Sequence, residues 1–411
     1  MMSGAKKMVP KRRFKEFLNA GDWEQRKLGE IFEYLQNNTL SRDSLNYKNP
    51  NIKNIHYGDI LVKFDEILDG SNKDIPYINC ELDLSKFSKS LLRDGDIIFS
   101  DTAEDDTVGK AIELQNVNAP FILGGLHTIP CRPLIPFGKG YLGNFLNSDS
   151  YRLQLRPLIQ GIKVSSISKS ALKDTMIEYP KNLDEQEKIG SLFYYIAKMI
   201  TLHQRKLDKL QATKKALLQE MFPEEGQDKP KRRFKGFTDA WKQRKLSEVT
   251  TCFDNLRVPV TASDRVPGKI PYYGANGIQD YVSGHTHSGE FVLIAEDGAN
   301  DLNDYPIQYV NGAIWVNNHA HVIAGYKEKL ENKFLSYSLK TVKMSTFIVG
   351  GGRSKLNLKA LLEIPISMPN HDEQCCIGKF IETIDKTITL HQRKLDKLKN
   401  LKQAYLNEMF V

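Results

Sequence analysis

An acidic triplet, Glu104-Asp105-Asp106, is one group of residues in this sequence that could do chemistry. Adjacent carboxylates can hold the divalent cation of a metal-dependent nuclease. Acidic triplets are also common in turns, where a carboxylate caps a helix or accepts a hydrogen bond, for example from cytosine N4 of DNA. We favour the turn, because so short a motif arises readily by chance.

Two pairs of histidines have a spacing compatible with metal binding. His285 and His287 would point to one face of a strand, as would His319 and His321. A structural zinc site needs four ligands, and no cysteine or carboxylate set obviously completes either pair. We therefore predict no metal site and expect these histidines to be hydrogen-bonded.

The usual catalytic signatures are missing from the sequence. It contains no GxxxxGK[ST] phosphate loop, no HExxH and no GxSxG. It also lacks the Asn/Asp-Pro-Pro-aromatic tetrad of amino-methyltransferases and a glycine-rich cofactor loop after a strand. The sequence therefore predicts a chain with no catalytic residues and no cofactor of its own.

Two basic, glycine-containing segments are candidates for contacting phosphate. Residues 350–355 read GGGRSK, and residues 161–166 read GIKVSS at the matching place in the first half of the chain. Glycine lets backbone approach a phosphate closely, while Arg353, Lys355 and Lys163 supply positive charge. The alternative is a flexible loop between a helix and a strand. We favour the phosphate contact because the segments at both equivalent positions are basic and contain glycine.

A duplicated helical pattern must position these loops. ITLHQRKLDKL occurs at residues 200–210 and again, unchanged, at 388–398, each copy preceded by DEQ and followed by EMF. Apolar residues recur with heptad spacing, which predicts two helices whose stripes pack against each other. A helix of about 39 residues is roughly 58 Å long, the length of a spacer. The predicted packing residues are Ile189, Phe193, Ile196, Ile200, Leu207 and Leu210, then Ile377, Ile381, Ile384, Ile388, Leu395 and Leu398.

The segments before the helices are duplicated as well. PKRRFK occurs at residues 10–15 and 230–235, each time followed by a tryptophan and QRKL. QRKL also occurs within each of the two predicted helices, at residues 204–207 and 392–395, and we interpret these helical copies as solvated faces. The predicted class is α+β: two globular α/β domains separated by two long antiparallel coiled-coil helices, a tandem duplication with a pseudo-two-fold axis. The predicted boundaries are an N-terminal segment 1–22, domain 23–183, helix 184–222, linker and repeated lead segment 223–240, domain 241–371 and helix 372–411.

The two predicted domains, or arms, keep a common frame but have different loops. Gly95-Asp96 corresponds to Gly289-Glu290 and His127 to His321 at one offset. Between these positions the loops differ: SDTAEDD at residues 100–106 corresponds to IAEDGAN at 294–300, and LGG at 123–125 corresponds to NNH at 317–319. One scaffold with two loop sets is the layout of a bivalent reader with two unlike half-sites.

Within the first arm, residues 58–62 and 95–99 read as a turn followed by a strand, 110–114 as a strand and 141–156 as a helix. The polar loop residues are the candidates for facing DNA; an Asn can pair with adenine, although an Asn-stabilised turn is an equal alternative. The predicted DNA contacts are Lys63, Ser100, Asp101, Glu104, Lys163, Ser165, Asn276, Glu296, Asp297, Asn317, Asn318, His319, Arg353 and Lys355.

Taken together, these motifs resemble the DNA specificity subunit of type I restriction-modification systems. The resemblance covers nearly the whole chain: WEQRKLGEI and WKQRKLSEV, GDIIFSDTAEDDTVGKA with LHTIPCRP, YYGANGI with LIAEDGAN and WVNNHAHVI, and the helices between DEQ and EMF. It implies a non-catalytic subunit in which each arm reads half of a bipartite, asymmetric double-stranded DNA site.

The resemblance also implies the partners. Two modification subunits would dock on the helices and methylate adenine N6, and restriction subunits would join them to cleave DNA. S-adenosylmethionine, ATP and Mg²⁺ would belong to those partners only.

Composition is compatible with this function without deciding it. The net charge is +8, which suits a polyanion but is shared by many proteins that bind none. Five cysteines without CxxC spacing suggest neither disulfides nor zinc, and no segment looks like a membrane span or signal peptide, so we expect a cytoplasmic protein without a membrane partner. Two rivals are an enzyme that cuts or methylates DNA alone, and a coiled-coil scaffold whose arms bind proteins.

Overall fold

The computed structural model of the protein describes residues 8–48, 51–118, 121–161, 163–348 and 355–411. These residues form two compact units. The first comprises the chain up to His203 together with Lys394–Val411, and the second comprises Gln204–Arg393. Each unit therefore holds one arm and a half of each long helix.

The first arm is built from short elements around two sheets. They are β1 (Glu24–Lys27), α1 (Leu28–Ile31), β2 (Phe32–Tyr34), β3 (Leu45–Asn46), β4 (Ile52–Ile55), α2 (Tyr57–Val62), β5 (Ile67–Asp69), β6 (Tyr77–Ile78), β7 (Ile97–Ser100), β8 (Thr102–Ala103), β9 (Ala111–Gln115), β10 (Phe121–Gly124), β11 (Thr128–Pro133), α3 (Tyr141–Phe145), α4 (Asp149–Leu155), β12 (Ser165–Ser166), α5 (Lys169–Lys173) and β13 (Met176–Tyr179). Helix α6 (Leu183–Glu220) follows.

The larger sheet of the first arm has the strand order β2-β11-β7-β9-β5, and the smaller has the order β10-β4-β6-β3. Strand β7 shows why the larger sheet is buried on both faces. Ile97 and Phe99 point into one apolar cluster, and Ile98 between them points into another. Alternating side chains of a strand reach opposite faces, so an all-apolar strand needs packing on both sides.

The second arm is built on a single six-stranded sheet. Its elements are β14 (Lys242–Lys245), α7 (Leu246–Val249), β15 (Thr250–Cys252), β16 (Pro267–Gly274), β17 (Gly277–Val282), β18 (His287–Ala295), β19 (Ile307–Val316), β20 (Ala320–Gly325), α8 (Asn332–Lys340), α9 (Leu358–Leu362) and β21 (Pro365–Met368), followed by helix α10 (His371–Met409). The strand order is β15-β20-β18-β19-β16-β17. In both arms a two-stranded ribbon pairs the strand after the tryptophan with the last strand, β1 with β13 and β14 with β21.

The two long helices confirm the predicted antiparallel pair. In the first unit, Phe193 near the start of α6 stacks on Phe410 beyond the end of α10, with ring centroids 5.7 Å apart. In the second unit, Lys214 near the end of α6 forms an ion pair of 2.6 Å with Asp385 in the first half of α10. Each unit thus joins the start of one helix to the end of the other.

The predicted packing stripe is partly used by the arms rather than by the helices alone. Ile189 and Phe193 belong to the apolar core of the first arm, and Ile377 and Ile381 belong to that of the second. Ile196, Leu207 and Leu395 are also buried, whereas Ile200, Leu210, Ile384, Ile388 and Leu398 are half-buried. The outer ends of the stripes anchor the helices in the arms.

The repeated PKRRFK segments are attached to the long helices by their arginines. Arg13 donates two hydrogen bonds to the buried carboxylate of Glu185, and Arg233 makes the same pair with Glu373. The preceding arginine in each copy forms an ion pair with a glutamate at the end of the other long helix, Arg12 with Glu408 and Arg232 with Glu220. The DEQ and EMF motifs that flank the duplicated helices are therefore the attachment points of these segments.

Two local predictions are wrong. Residues 58–62 form helix α2 instead of a strand, because the His56 ring accepts a hydrogen bond from the Gly58 amide and caps a helical turn. The helix predicted at 141–156 is broken into α3 and α4. The Ser148 hydroxyl donates to the Phe145 carbonyl and accepts from the Tyr151 amide, ending one helix and starting the next.

Candidate nucleic-acid interface

The structure brings together the two predicted DNA-facing loops of the first arm. Strand β12, from the glycine-containing segment, pairs antiparallel with β8, from the acidic segment, and Ser165 lies opposite Ala103. The Ile167 amide donates to the Asp101 carbonyl at 2.8 Å. The second arm repeats this arrangement: Lys355 lies opposite Asp297, and the Leu356 amide donates to the Glu296 carbonyl at 2.7 Å. The backbone frame of the candidate interface is common to both arms.

Side chains on this frame in the first arm differ in accessibility. Glu104 and Lys163 are exposed, and Asp101 and Ser165 are half-buried. The Asp101 carboxylate accepts a hydrogen bond from the Thr102 hydroxyl at 2.7 Å and lies 3.2 Å from Nδ1 of His127. Asp101 is therefore held in place by its neighbours.

Ser100 does not fit its prediction as a DNA contact. Its side chain is fully buried, and its hydroxyl donates to the Thr102 carbonyl at 2.8 Å. It supports the loop from beneath instead of reaching the surface.

Lys63 belongs to a cluster that the sequence did not reveal. The buried carboxylate of Asp59 pairs with Lys63 at 3.0 Å on one side and with Arg42 on the other. Hydrogen bonds to Tyr47 and then Asp59 raise the pKa of Lys63, and the hydrogen bond to Asp59 raises the pKa of Arg42. Both cations stay partly exposed, so one buried carboxylate orients two positive charges at the surface. Arg42 and Asp59 are 17 residues apart in the sequence, and no motif or periodicity links them.

The second arm gathers seven of its eight predicted residues near the end of β18. Glu296 is at the centre: Lys355 pairs with one carboxylate oxygen at 2.8 Å, and Arg257 pairs with the other at 2.7 Å. Burial acts to raise the pKa of Glu296, but the hydrogen bonds from Lys355 and Arg257 outweigh it and hold the pKa below its usual value. Arg353, the eighth residue, lies outside the described residues.

Three neighbouring predicted residues shape the adjoining turn. The His319 ring lies 2.5 Å from the Asp297 carboxylate, and the His319 amide donates to the side-chain oxygen of Asn317 at 2.8 Å. Asn317 is only 4% exposed, so the turn-forming alternative applies to it and it cannot reach DNA as predicted. Asn318 is exposed and His319 partly exposed, and these two side chains remain candidates.

Asn276 joins the same surface from the β16–β17 turn. Its amide nitrogen donates to the Gly298 carbonyl at 2.8 Å, and its side-chain oxygen accepts from the Asn300 amide at 3.0 Å. Asn276 therefore ties the turn between β16 and β17 to the loop that follows β18.

The described residues include one group of three that could offer ligand atoms to a metal, Asp254, Glu296 and His321, with those atoms within 4.8 Å of one another. Both ring nitrogens of His321 already have partners, Asp254 at 2.6 Å and the Leu356 carbonyl at 2.8 Å. Arg257 also lies 3.3 Å from Asp254. Arg257 and Lys355 neutralise the two carboxylates, so the group is an ion-pair network that braces the loop. The sequence spacing of Asp254, Arg257 and His321 did not predict this network.

Comparison with known proteins decides the family. The model of the type I restriction modification DNA specificity domain matches residues 20–212 and, a second time, residues 238–400. The chain belongs to this family. The two matches correspond to the two arms with their helices, so this specificity subunit carries the domain twice.

Individual relatives and a solved structure agree with this family assignment. A type I restriction enzyme specificity subunit of Haemophilus influenzae is 49% identical over 144 residues, which span 35% of this chain and 37% of that protein. The MjaX specificity subunit of Methanocaldococcus jannaschii is 22% identical over 94% of this chain and 92% of its own length. The crystal structure of a type I S subunit from M. genitalium has the same fold, with a TM-score of 0.67, 15% identity and coverage of 98% of this chain and 99% of that chain.

Members of this family are specificity subunits, which recognise DNA and have no catalytic role within the restriction-modification complex. They work with other subunits and with DNA. Among the residues that the structure describes, no helix is long and apolar enough to cross a membrane.

Proposed function

We propose that each arm of this specificity subunit reads one half of a bipartite, asymmetric double-stranded DNA site. The observation that carries the proposal is the common backbone frame, β8 with β12 in one arm and Asp297 opposite Lys355 in the other, bearing different side chains. A shared frame would place both loop sets against DNA in the same way, while unlike side chains would select different bases. The two half-sites would therefore differ in sequence.

The charged side chains on these frames divide into two roles. Lys163, Lys355, Lys63 and Arg42 would contact phosphates, which position the protein without reading sequence. Asp101, Glu104, Asn318 and His319 would face base edges, where carboxylate and amide groups discriminate between base pairs. Asn276, Glu296 and Asp297 would act through the loop that they brace.

The long helices would set the number of unread base pairs between the half-sites and carry two modification subunits. These partners would transfer the methyl group from S-adenosylmethionine to adenine N6, and restriction subunits would add ATP- and Mg²⁺-dependent cleavage. The chain itself would bind none of these cofactors. This work would take place in the cytoplasm, without a membrane partner.

The test is base-resolution mapping of adenine methylation in cells that express this chain with its modification subunit, against cells that lack this chain. We expect a new split motif with a fixed gap. Replacing the first arm's Asp101 and Glu104 by alanine should change one half of the motif only, and replacing Asn318 and His319 should change the other half only. If an active modification subunit and a folded chain yield no new motif, the proposal fails.

A further inference from the structure

The pairing of the central strands shows which residues of the two arms occupy equivalent positions. In the first arm, the last pair between β7 and β11 is Ser100 with Thr128. In the second arm, the last pair between β18 and β20 is Ala295 with Ala320. These two pairs are therefore equivalent, and both lie at the edge of the sheet that carries the candidate DNA-facing loops.

The backbone hydrogen bond just beyond each pair is shared as well. The Asp101 amide donates to the His127 carbonyl at 3.1 Å, and the Glu296 amide donates to the His319 carbonyl at 2.9 Å. His127 therefore corresponds to His319 in the structure, whereas the constant offset in the sequence matched it with His321. Each arm has a histidine at the same place in its backbone frame.

Both histidines direct the same ring nitrogen toward a carboxylate. Nδ1 of His127 lies 3.2 Å from Oδ1 of Asp101, and Nδ1 of His319 lies 2.5 Å from Oδ1 of Asp297. The two carboxylates occupy neighbouring positions of the facing loop, because the backbone hydrogen bonds make Asp101 equivalent to Glu296. Two arms with different loops thus make the same histidine–carboxylate pair from different positions.

The other ring nitrogen of each histidine is free to bind. Among the described residues, the hydrogen-bond partners of the His127 and His319 rings lie at Nδ1 only, and the two side chains are 48% and 40% exposed. The His127 ring is also held edge-on against Tyr57, with centroids 5.2 Å apart. His321 differs, since both of its ring nitrogens are engaged and its side chain is 1% exposed.

The paired carboxylate decides which hydrogen-bonding role Nε2 takes. An ionised carboxylate can only accept, so it holds the proton of a neutral imidazole on Nδ1. Nε2 then presents a lone pair and accepts a hydrogen bond. In the major groove of DNA, the bases that donate do so through an exocyclic amino group, N6 of adenine or N4 of cytosine.

We propose that His127 and His319 each read one base of a half-site, and that Nε2 accepts a hydrogen bond from an exocyclic amino group of adenine or cytosine. Asp101 and Asp297 are positioning residues, which fix the proton on Nδ1. The inference rests on the proposed function and deepens it, because it adds His127 to the reading residues and names the chemical group that is read. One shared contact is compatible with unlike half-sites, since the surrounding loop side chains differ.

The test measures binding of the assembled methyltransferase to DNA duplexes that carry the motif found by methylation mapping. At each position of the motif in turn, adenine is replaced by purine or cytosine by a pyrimidinone base, which removes the exocyclic amino group and leaves the ring. We expect one position in each half-site at which this loss weakens binding by about 3- to 10-fold, the effect of one hydrogen bond.

Substitution of the histidines assigns each effect to its arm. In His127→Phe, loss of the amino group at the position in the first half-site should no longer weaken binding, because the acceptor is gone. The second half-site should behave as in the wild type, and His319→Phe should show the reverse. Asp101→Asn and Asp297→Asn should each reduce the discrimination in their own half-site, since an asparagine amide can also donate to Nδ1 and no longer fixes the proton.

His285→Phe is the matched control. His285 is an exposed histidine of the second arm that precedes β18, whereas the reading loop follows the other end of that strand. This variant should leave the discrimination in both half-sites unchanged. Melting curves establish that each variant is folded. Where a phenylalanine variant does not fold, glutamine replaces it, because its amide oxygen can accept a hydrogen bond near the position of Nε2 and should keep the discrimination.

The possible failures differ. If the mapping yields no split motif, the proposed function itself fails. If a motif is found but one of its half-sites has no position that depends on an amino group, the histidine contact in that arm is contradicted. A phenylalanine variant that weakens binding equally on all duplexes would indicate a phosphate contact and would overturn the base reading, as would a folded glutamine variant that loses the discrimination.

Discussion

Arg13 and Glu185 form a buried bidentate pair, with nitrogen–oxygen distances of 2.6 and 2.8 Å and side chains that are 4% and 0% exposed. Arg233 and Glu373 repeat it in the second unit at 2.7 Å for both bonds. The pair joins the segment before each arm to the first turn of the long helix after it. This repeated basic run therefore holds each arm onto its helix.

Replacing Arg13 with alanine should destabilise the first unit, because the Glu185 carboxylate would remain buried without a counter-charge. Breaking such a pair typically costs about 3–5 kcal/mol. The measurement is urea unfolding followed by circular dichroism. Arg12→Ala is the matched control, since the Arg12–Glu408 pair is exposed to solvent and should matter little. Equal midpoints for the two variants would contradict the structural role of the buried pair.

Lys163→Ala and Lys355→Ala should weaken DNA binding without changing the methylated motif. Each lysine that contacts a phosphate contributes about one to the slope of log affinity against log salt. The measurement is DNA affinity of the assembled methyltransferase across a salt series. Lys359→Ala, which removes a lysine from α9 outside the proposed interface, is the control. An unchanged slope in both variants would show that neither lysine contacts a phosphate.

Asn318→Ala should relax base selection in one half-site only. A good bidentate contact to a base discriminates by about 1–3 kcal/mol, or roughly 5- to 150-fold. Methylation mapping with the variant chain measures the effect. Ser100→Ala provides the comparison in the other arm, because that buried hydroxyl should leave base selection intact. A relaxed first half-site in Ser100→Ala would show that burial is a poor guide to which residues read DNA.

Stability of the second arm should fall in acid. The pKa of Asp254 is held low because the hydrogen bond from His321 and the amide of Val322 outweigh the effect of burial, and Glu296 is held low in the same manner. Carboxylates with a lowered folded pKa contribute stability above their unfolded pKa of about 4 and lose it as pH falls through the folded value. Melting temperatures between about pH 7 and pH 3 should therefore drop less steeply in Glu296→Gln than in the wild type. Parallel curves for both proteins would contradict the assignment.

The sequence by itself determined the features that repeat or have a period. The heptad spacing from Ile189 to Leu210 predicted α6, its copy predicted α10, and the common offset of His127 and His321 predicted two arms with one frame. Periodicity and self-similarity can be recognised in the sequence alone, so features that depend on them can be predicted without knowledge of tertiary contacts.

Only the tertiary structure decided which polar residues work together. Arg42 meets Asp59, Asp254 meets His321, and Arg13 meets Glu185 across 17, 67 and 172 residues of sequence. It also decided that Ser100 and Asn317 are buried while Asn318 is exposed. Hydrogen bonds and ion pairs depend on distances of a few ångströms between atoms, and long-range folding sets those distances without leaving a pattern in local sequence.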